Sequence, residues 1–103
     1  MTTFDDRQKA FEEKFAHDEE LRFKANVKAA KLLGEWAAQE IGLSKEVYVN
    51  ELVNMVTSGK DEEELLDKVH KDAVNKGKQL SKDALSEKFS SLQNQARDYV
   101  TNH

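Results

Sequence analysis

Apolar residues recur at intervals of three and four along most of the chain, which is the pattern of amphipathic α-helices. The longest such stripe lies between Asp18 and Ile41. Its apolar members are Leu21, Ala25, Ala29, Leu32, Leu33, Trp36, Ala37 and Ile41. Asp18 is a residue type that caps the start of a helix, and Gly42 is the type that often follows its end. The pattern therefore predicts a helix from Asp18 to Ile41.

Three shorter segments with the same spacing follow. Ser44, Asp61 and Ser81 stand before them, and each can accept a hydrogen bond from the first turn of a helix. The apolar positions predicted to face the core are Val49, Leu52, Val53, Val56, Leu65, Leu66, Val69, Ala73, Leu85, Phe89, Leu92, Ala96 and Tyr99. Short connections between amphipathic helices favour antiparallel neighbours. The sequence thus predicts an all-α fold, with an antiparallel four-helix bundle over residues 18–103.

Residues 1–17 carry an aromatic stripe of their own. Phe4, Phe11 and Phe15 would lie along one side of a helix, with charged residues on the others. One continuous helix over residues 5–41 would be ~55 Å long, whereas a globule of about 100 residues has a radius of gyration of ~13 Å. We therefore expect residues 1–17 to form a mobile or projecting segment in front of the bundle.

Three kinds of surface could cover these rings. The segment could fold back onto the bundle, dock as an amphipathic helix in a groove of a partner protein, or lie on a membrane. Its acidic character opposes binding to anionic lipid, and the bundle already has a full set of facing stripes. A partner's groove is the interpretation we prefer.

The composition fits an all-α protein and narrows its class. The chain has 103 residues, no proline, no cysteine and 4 glycines, so helices are seldom interrupted and a disulfide framework is excluded. The formal net charge of −4 comes from residues 1–20, because the acidic and basic residues that follow balance. No apolar run is long enough for a bilayer, and no signal peptide is evident. We expect a single-domain, monomeric, soluble and cytoplasmic protein that binds neither nucleic acid nor membrane.

Motifs for catalysis or metal binding are missing from the sequence. His17, His70 and His103 fall on different segments without ligand spacing, and we expect them to be exposed. The run Glu62-Glu63-Glu64 is explained as an acidic first helical turn. All glycines are isolated, which excludes a P-loop or dinucleotide fingerprint. We therefore predict no enzymatic activity, no metal and no cofactor.

A second class of function remains open, a helical module that binds an adenine nucleotide weakly and senses energy state. A glycine inside a helix costs up to ~1 kcal/mol and is usually kept where a helix or a ligand approaches closely. Trp36 is expected in the core, with its indole N–H at the bundle edge. The candidate nucleotide-binding residues are Lys28, Lys31, Gly34 and Trp36.

The first part of the chain also contains several distinctive runs of residues. They are Thr3-Phe4-Asp5-Asp6-Arg7, Lys14-Phe15-Ala16-His17-Asp18, Glu20-Leu21, Phe23-Lys24 and Leu32-Leu33-Gly34-Glu35-Trp36-Ala37-Ala38. These runs resemble the zeta-subunit family, small inhibitors of the ATP synthase of alphaproteobacteria. The match in residues covers about the first forty positions, and the later part is similar in helical pattern and length. One departure is Lys28-Ala29-Ala30, where many members carry Arg-Arg-Asn, so any binding by that run is not carried over.

The resemblance implies a function as well as a four-helix bundle. The N-terminal segment would insert at the catalytic α/β subunit interface of the F1 sector, next to the γ subunit, and block rotation in the hydrolytic direction. Phe4, Phe11 and Phe15 would be the anchors. Ion pairs that set register and orientation would come from Asp5, Asp6, Arg7 and Lys14. The bundle from Asp18 onward would act as a plug too bulky to pass, which places the protein at the cytoplasmic F1 sector.

Overall fold

The described part of the chain is entirely helical apart from short loops. The computed structural model describes residues 19–102, and it places four helices there: α1 (Glu19–Ile41), α2 (Lys45–Thr57), α3 (Glu62–Asn75) and α4 (Lys82–Asn102). The all-α class is confirmed. The predicted division at residue 17 and the cap at Asp18 lie outside the described residues.

Local sequence signals account for the ends of the helices. The side chain of Asp61 accepts a hydrogen bond from the backbone N–H of Glu64 at 2.9 Å, and Ser81 Oγ accepts one from the N–H of Ala84 at 3.1 Å. Ser44 occupies the N-cap position of α2, but its side chain makes no capping bond. Gly42 has φ of 87°, a left-handed conformation that glycine adopts without strain. The predicted helix starts are therefore confirmed for α2, α3 and α4.

The core is built around α1, which packs against α2 and α4 over much of its length, while α3 closes the remaining side. Its buried apolar residues are Ala25, Ala29, Ala30, Leu33, Ala37, Ala38, Ile41, Tyr48, Leu52, Leu65, Val69, Ala73, Leu85, Phe89, Leu92 and Ala96. No polar or charged residue among those described is buried. Burial of apolar area at about 25 cal/mol per Å² is thus the main stabilising term of the bundle.

Contacts between α1 and α4 run in opposite directions along the two helices. Lys28 of α1 lies against Tyr99 of α4, whereas Trp36, further along α1, meets Lys88, which is earlier in α4. This order is that of antiparallel neighbours. For the bundle as a whole, the antiparallel arrangement stays a prediction.

Several core predictions need correction. Tyr99 was predicted to face the core, but it is 46% exposed, because the buried seam of α4 ends at Ala96. Trp36 is half-buried at the edge of the core. His70, predicted to be exposed, is half-buried, and its Nδ1 lies 2.8 Å from the carbonyl oxygen of Leu80. Since a carbonyl oxygen only accepts, Nδ1 carries the proton and donates it.

Candidate functional site

The predicted inhibitory residues belong to the N-terminal segment. They are Phe4, Asp5, Asp6, Arg7, Phe11, Lys14 and Phe15, and they lie outside the described residues. The described structure contributes the body that carries this segment, beginning at Glu19 in α1. The first exposed aromatic side chain of that body is Phe23, which is 52% exposed.

Two of the candidate nucleotide-binding residues, Gly34 and Trp36, lie on different sides of α1. Gly34 is buried, and a Cβ added to it would lie 2.8 Å from Val49 Cα and 3.0 Å from Val49 Cγ2 in α2. Trp36 is two positions further on, and residues at i and i+2 of a helix do not face each other. The approach of α2 therefore explains the glycine without a ligand.

The basic candidates lie near the middle of α1. Lys28 Nζ lies 4.2 Å from the ring centroid of Tyr99, which is a cation–π contact. Lys31 is exposed and forms no ion pair within residues 19–102. Trp36 lines a shallow groove of ≈ 500 Å³ with Leu32, Glu35, Gln39, Leu43 and Lys45. The structure thus joins neither lysine to Gly34, and the nucleotide site stays a prediction.

A polar cluster between α2 and α3 was not found from the sequence. The hydroxyl of Tyr48 donates to Asp72 Oδ2 at 2.9 Å, and Lys68 Nζ lies 3.1 Å from the same oxygen. Lys68 also pairs with Glu51 Oε2 at 3.2 Å. The cluster borders an open cleft of ≈ 350 Å³. Lys68 and Asp72 have the i, i+4 spacing of a helical ion pair, but Tyr48 and Glu51 come from another helix, so sequence spacing gave no signal for the cluster as a whole.

The electrostatics of this cluster favour a cross-link between helices. Burial, with the hydrogen bond to Asp72 and the nearby negative charge, raises the pKa of Tyr48 far above its ordinary value. Burial alone would lower the pKa of Lys68, but hydrogen bonds and ion pairs with Asp72 and Glu51 outweigh it, and the net shift is upward. Both groups therefore keep their protons at neutral pH. The cluster holds α2 to α3 through a neutral phenol and a charged ammonium.

Replacing Tyr48 by phenylalanine tests the cross-link. At pH 7 we expect Tyr48→Phe to lower the free energy of unfolding by about 1 kcal/mol, the net worth of one hydrogen bond. Above pH 10 the unfolded wild type loses the phenolic proton while the folded state keeps it, so the wild type loses stability that the variant retains. The difference in unfolding free energy between the wild type and Tyr48→Phe, measured by urea unfolding, should therefore be smaller at pH 10.5 than at pH 7. A difference that is unchanged at the two pH values would contradict the role given to this hydroxyl.

Metal and membrane sites can be assessed for the described residues only. Between residues 19 and 102, no three His, Asp or Glu side chains are grouped so that they could hold a metal ion. Among helices α1 to α4, none combines the length and apolar character needed to cross a membrane.

Comparison with known proteins assigns the family. The family model described as ATPase inhibitor subunit zeta matches residues 1–99. This match covers both the N-terminal segment and all but the last turn of the helical body. Searches for similar curated proteins and for similar solved structures returned no match.

Proposed function

The chain belongs to the ATPase inhibitor subunit zeta family, and from this premise we propose that it blocks ATP hydrolysis by inserting residues 1–17 at the catalytic α/β interface of the F1 sector. Membership of the family supports a role as an ATPase inhibitor and implies association with that sector. It also implies a regulatory rather than a catalytic protein. The single observation that carries the proposal is that the family match begins at residue 1 and so includes the aromatic stripe.

The proposal gives the N-terminal segment and the bundle different roles. The described apolar side chains of helices α1 to α4 form a common core. In the proposal, Phe4, Phe11 and Phe15 serve instead as a set of anchors in a partner's groove, where aromatic side chains often dominate binding energy. The bundle is the plug that keeps the segment at the outer face of the enzyme, so that the γ subunit cannot turn past it.

Charged residues in the segment set its register in the groove. Asp5 and Asp6 are negative and Arg7 and Lys14 are positive, so both signs occur within a short stretch. Charge pairs across an interface suppress wrong registers and speed association more than they add affinity.

Two substitutions in the segment test the proposal. Phe11→Ala combined with Phe15→Ala is expected to weaken inhibition of ATP hydrolysis at least a hundredfold, since two buried anchors of ~2 kcal/mol each are lost. The thermal midpoint should change little, because the proposal assigns both rings to the partner's groove and not to the core of the bundle. Inhibition curves with the F1 sector and thermal unfolding by circular dichroism measure the two effects.

A matched control comes from exposed valines of the helical body. Val47→Ala combined with Val74→Ala also removes two apolar side chains, each 57% exposed. This variant should inhibit as the wild type does. Equal inhibition by the phenylalanine variant and the valine variant would rule out the phenylalanines as anchors.

The nucleotide-binding alternative is tested separately. The approach of Val49 accounts for Gly34 without a ligand, so this residue gives the alternative no support. Titration with ATP and ADP, followed by Trp36 fluorescence, decides the matter. Saturable changes would support a nucleotide site, and their absence would leave the inhibitor alone.

A further inference from the structure

Exposed aromatic and basic side chains lie together on one side of α1 near its start. At about 100° per residue, five positions of α1 follow one another around an arc of about 140°. Together with one residue of α4 they form what we call the aromatic–basic face: Phe23, Lys24, Val27, Lys28, Lys31 and Tyr99. Phe23 is 52% and Tyr99 46% exposed, and Lys24 and Lys31 are exposed as well.

Phe23 is exposed because α2 ends before reaching it. Phe23 lies within about 20° of Ala30 and Gly34 around the axis of α1, and those two residues are buried. Gly34 meets Val49, and from there α2 runs back along α1 only as far as Thr57. This stretch covers α1 to about residue 26, since both helices rise about 1.5 Å per residue. The apolar side of α1 therefore continues beyond the helix that covers it.

Tyr99 belongs to the same face because its ring contacts Lys28. The ammonium lies 4.2 Å from the ring centroid, a contact worth about 0.5–1 kcal/mol at an exposed site. It fixes the ring beside α1 at low cost in conformational entropy. Tyr99 and Phe23 thus both present about half of their surface to solvent on this face.

The charge of the face selects an acidic partner. Residues 21–34 contain four basic and no acidic residues: Arg22, Lys24, Lys28 and Lys31. Lys24 pairs with Glu20 at 3.1 Å, but both side chains are more than half exposed, and such pairs contribute little. The face therefore keeps a net positive charge, which attracts and orients a negatively charged surface.

We propose that the aromatic–basic face is a second contact surface that binds an acidic protein surface on the F1 sector beside the site of insertion. The inference rests on the proposed function. Phe23 is only six positions from residue 17, so even an extended connection spans at most about 20 Å. This short connection keeps the face close to the enzyme when the segment is inserted. The lysines speed association, and the two rings slow dissociation.

The test uses Phe23→Ala and Lys31→Glu in the full chain, with binding to the F1 sector and inhibition both measured. Phe23→Ala should raise the dissociation rate about tenfold, the effect of losing one anchor. Lys31→Glu should slow association about tenfold at low salt, and the difference should shrink as salt is raised. The controls are Val74→Ala and Lys71→Glu on α3, which should stay within about twofold of the wild type. Thermal midpoints should not change, because all four side chains are exposed or pack little.

The outcomes separate this inference from the proposed function. If the face variants, Phe23→Ala and Lys31→Glu, bind and inhibit as the wild type does, the inference is overturned and the proposed function stays intact. Loss of binding in the face variants, with full inhibition by the Phe11 and Phe15 double variant, would support the face and overturn the insertion. Lack of any binding by the wild type would overturn both. Face variants that lose only binding to vesicles containing anionic lipid would show that the face serves a membrane instead.

Discussion

Gly34→Ala is expected to lower the stability of the bundle, although alanine is the better helix former. Alanine at this position gains up to about 1 kcal/mol in helix propensity over glycine. Its Cβ would lie 2.8 Å from Val49 Cα, which is backbone and cannot rotate away. Forcing packed helices apart typically costs about 1–3 kcal/mol. Over most of that range the clash outweighs the propensity, so we expect a net loss of up to about 2 kcal/mol in the free energy of unfolding by urea.

A second substitution shows which atom is responsible. Val49→Ala removes the contact of 3.0 Å to Val49 Cγ2 but not the closer one to Cα. The double variant Gly34→Ala, Val49→Ala should therefore recover little of the lost stability. Glu35→Ala is the control at the neighbouring exposed position, and it should stay within about 0.5 kcal/mol of the wild type. A more stable Gly34→Ala variant would mean that α2 does not pack as closely as the structure indicates.

The ends of the helices could be predicted because they depend on local chemistry. The side chains of Asp61 and Ser81 each accept a hydrogen bond from the backbone N–H three positions later. This spacing is visible in the sequence. Gly42 follows the last apolar position of α1 and takes the positive φ that glycine permits. Such signals act over a few residues, and no tertiary contact is needed to recognise them.

Two buried alanines were missed for a physical reason. Ala30 and Ala38 are buried. Alanine favours helices both in cores and on surfaces, so the residue type alone does not indicate whether an alanine faces the core or the solvent. The available signal was spacing. Ala30, Gly34 and Ala38 recur every four residues, which places small side chains in a row where another helix can approach closely.

Tyr48 and Tyr99 show that a period alone does not fix burial. The predicted stripe of α2 contained Val49 and Val53, yet Tyr48 is the more deeply buried, at 3% exposure. Its hydroxyl needs a partner, and that partner, Asp72, lies in another helix. Tyr99 has seam spacing but sits where the buried seam has already ended. Tertiary contacts decide both cases.

The candidate inhibitory site could be proposed from sequence because all its residues belong to one continuous segment. It does not require residues from several helices to come together. Phe4, Phe11 and Phe15 need only a helical period to share a side. The polar cluster around Lys68 needed three-dimensional structure, since its carboxylates belong to different helices. The aromatic–basic face needed it too, because the exposure of Phe23 depends on where α2 ends.

Removing residues 1–17 is expected to have the largest functional effect. The remaining chain keeps helices α1 to α4 and the buried core, so its helical content and thermal midpoint should stay close to those of the full chain. It lacks all seven residues that we propose for the α/β interface. On this proposal the remaining bundle, with its aromatic–basic face, can touch the enzyme but cannot enter the interface.

The decisive measurement is the inhibition of ATP hydrolysis by the F1 sector, compared between the full chain and the chain that lacks residues 1–17. Both proteins are first matched by circular dichroism and thermal unfolding. We expect the full chain to inhibit, and the shortened chain to leave hydrolysis at its uninhibited rate even at a hundredfold higher concentration. Equal inhibition by the two proteins would place the function in the helical bundle and contradict the role of the N-terminal segment.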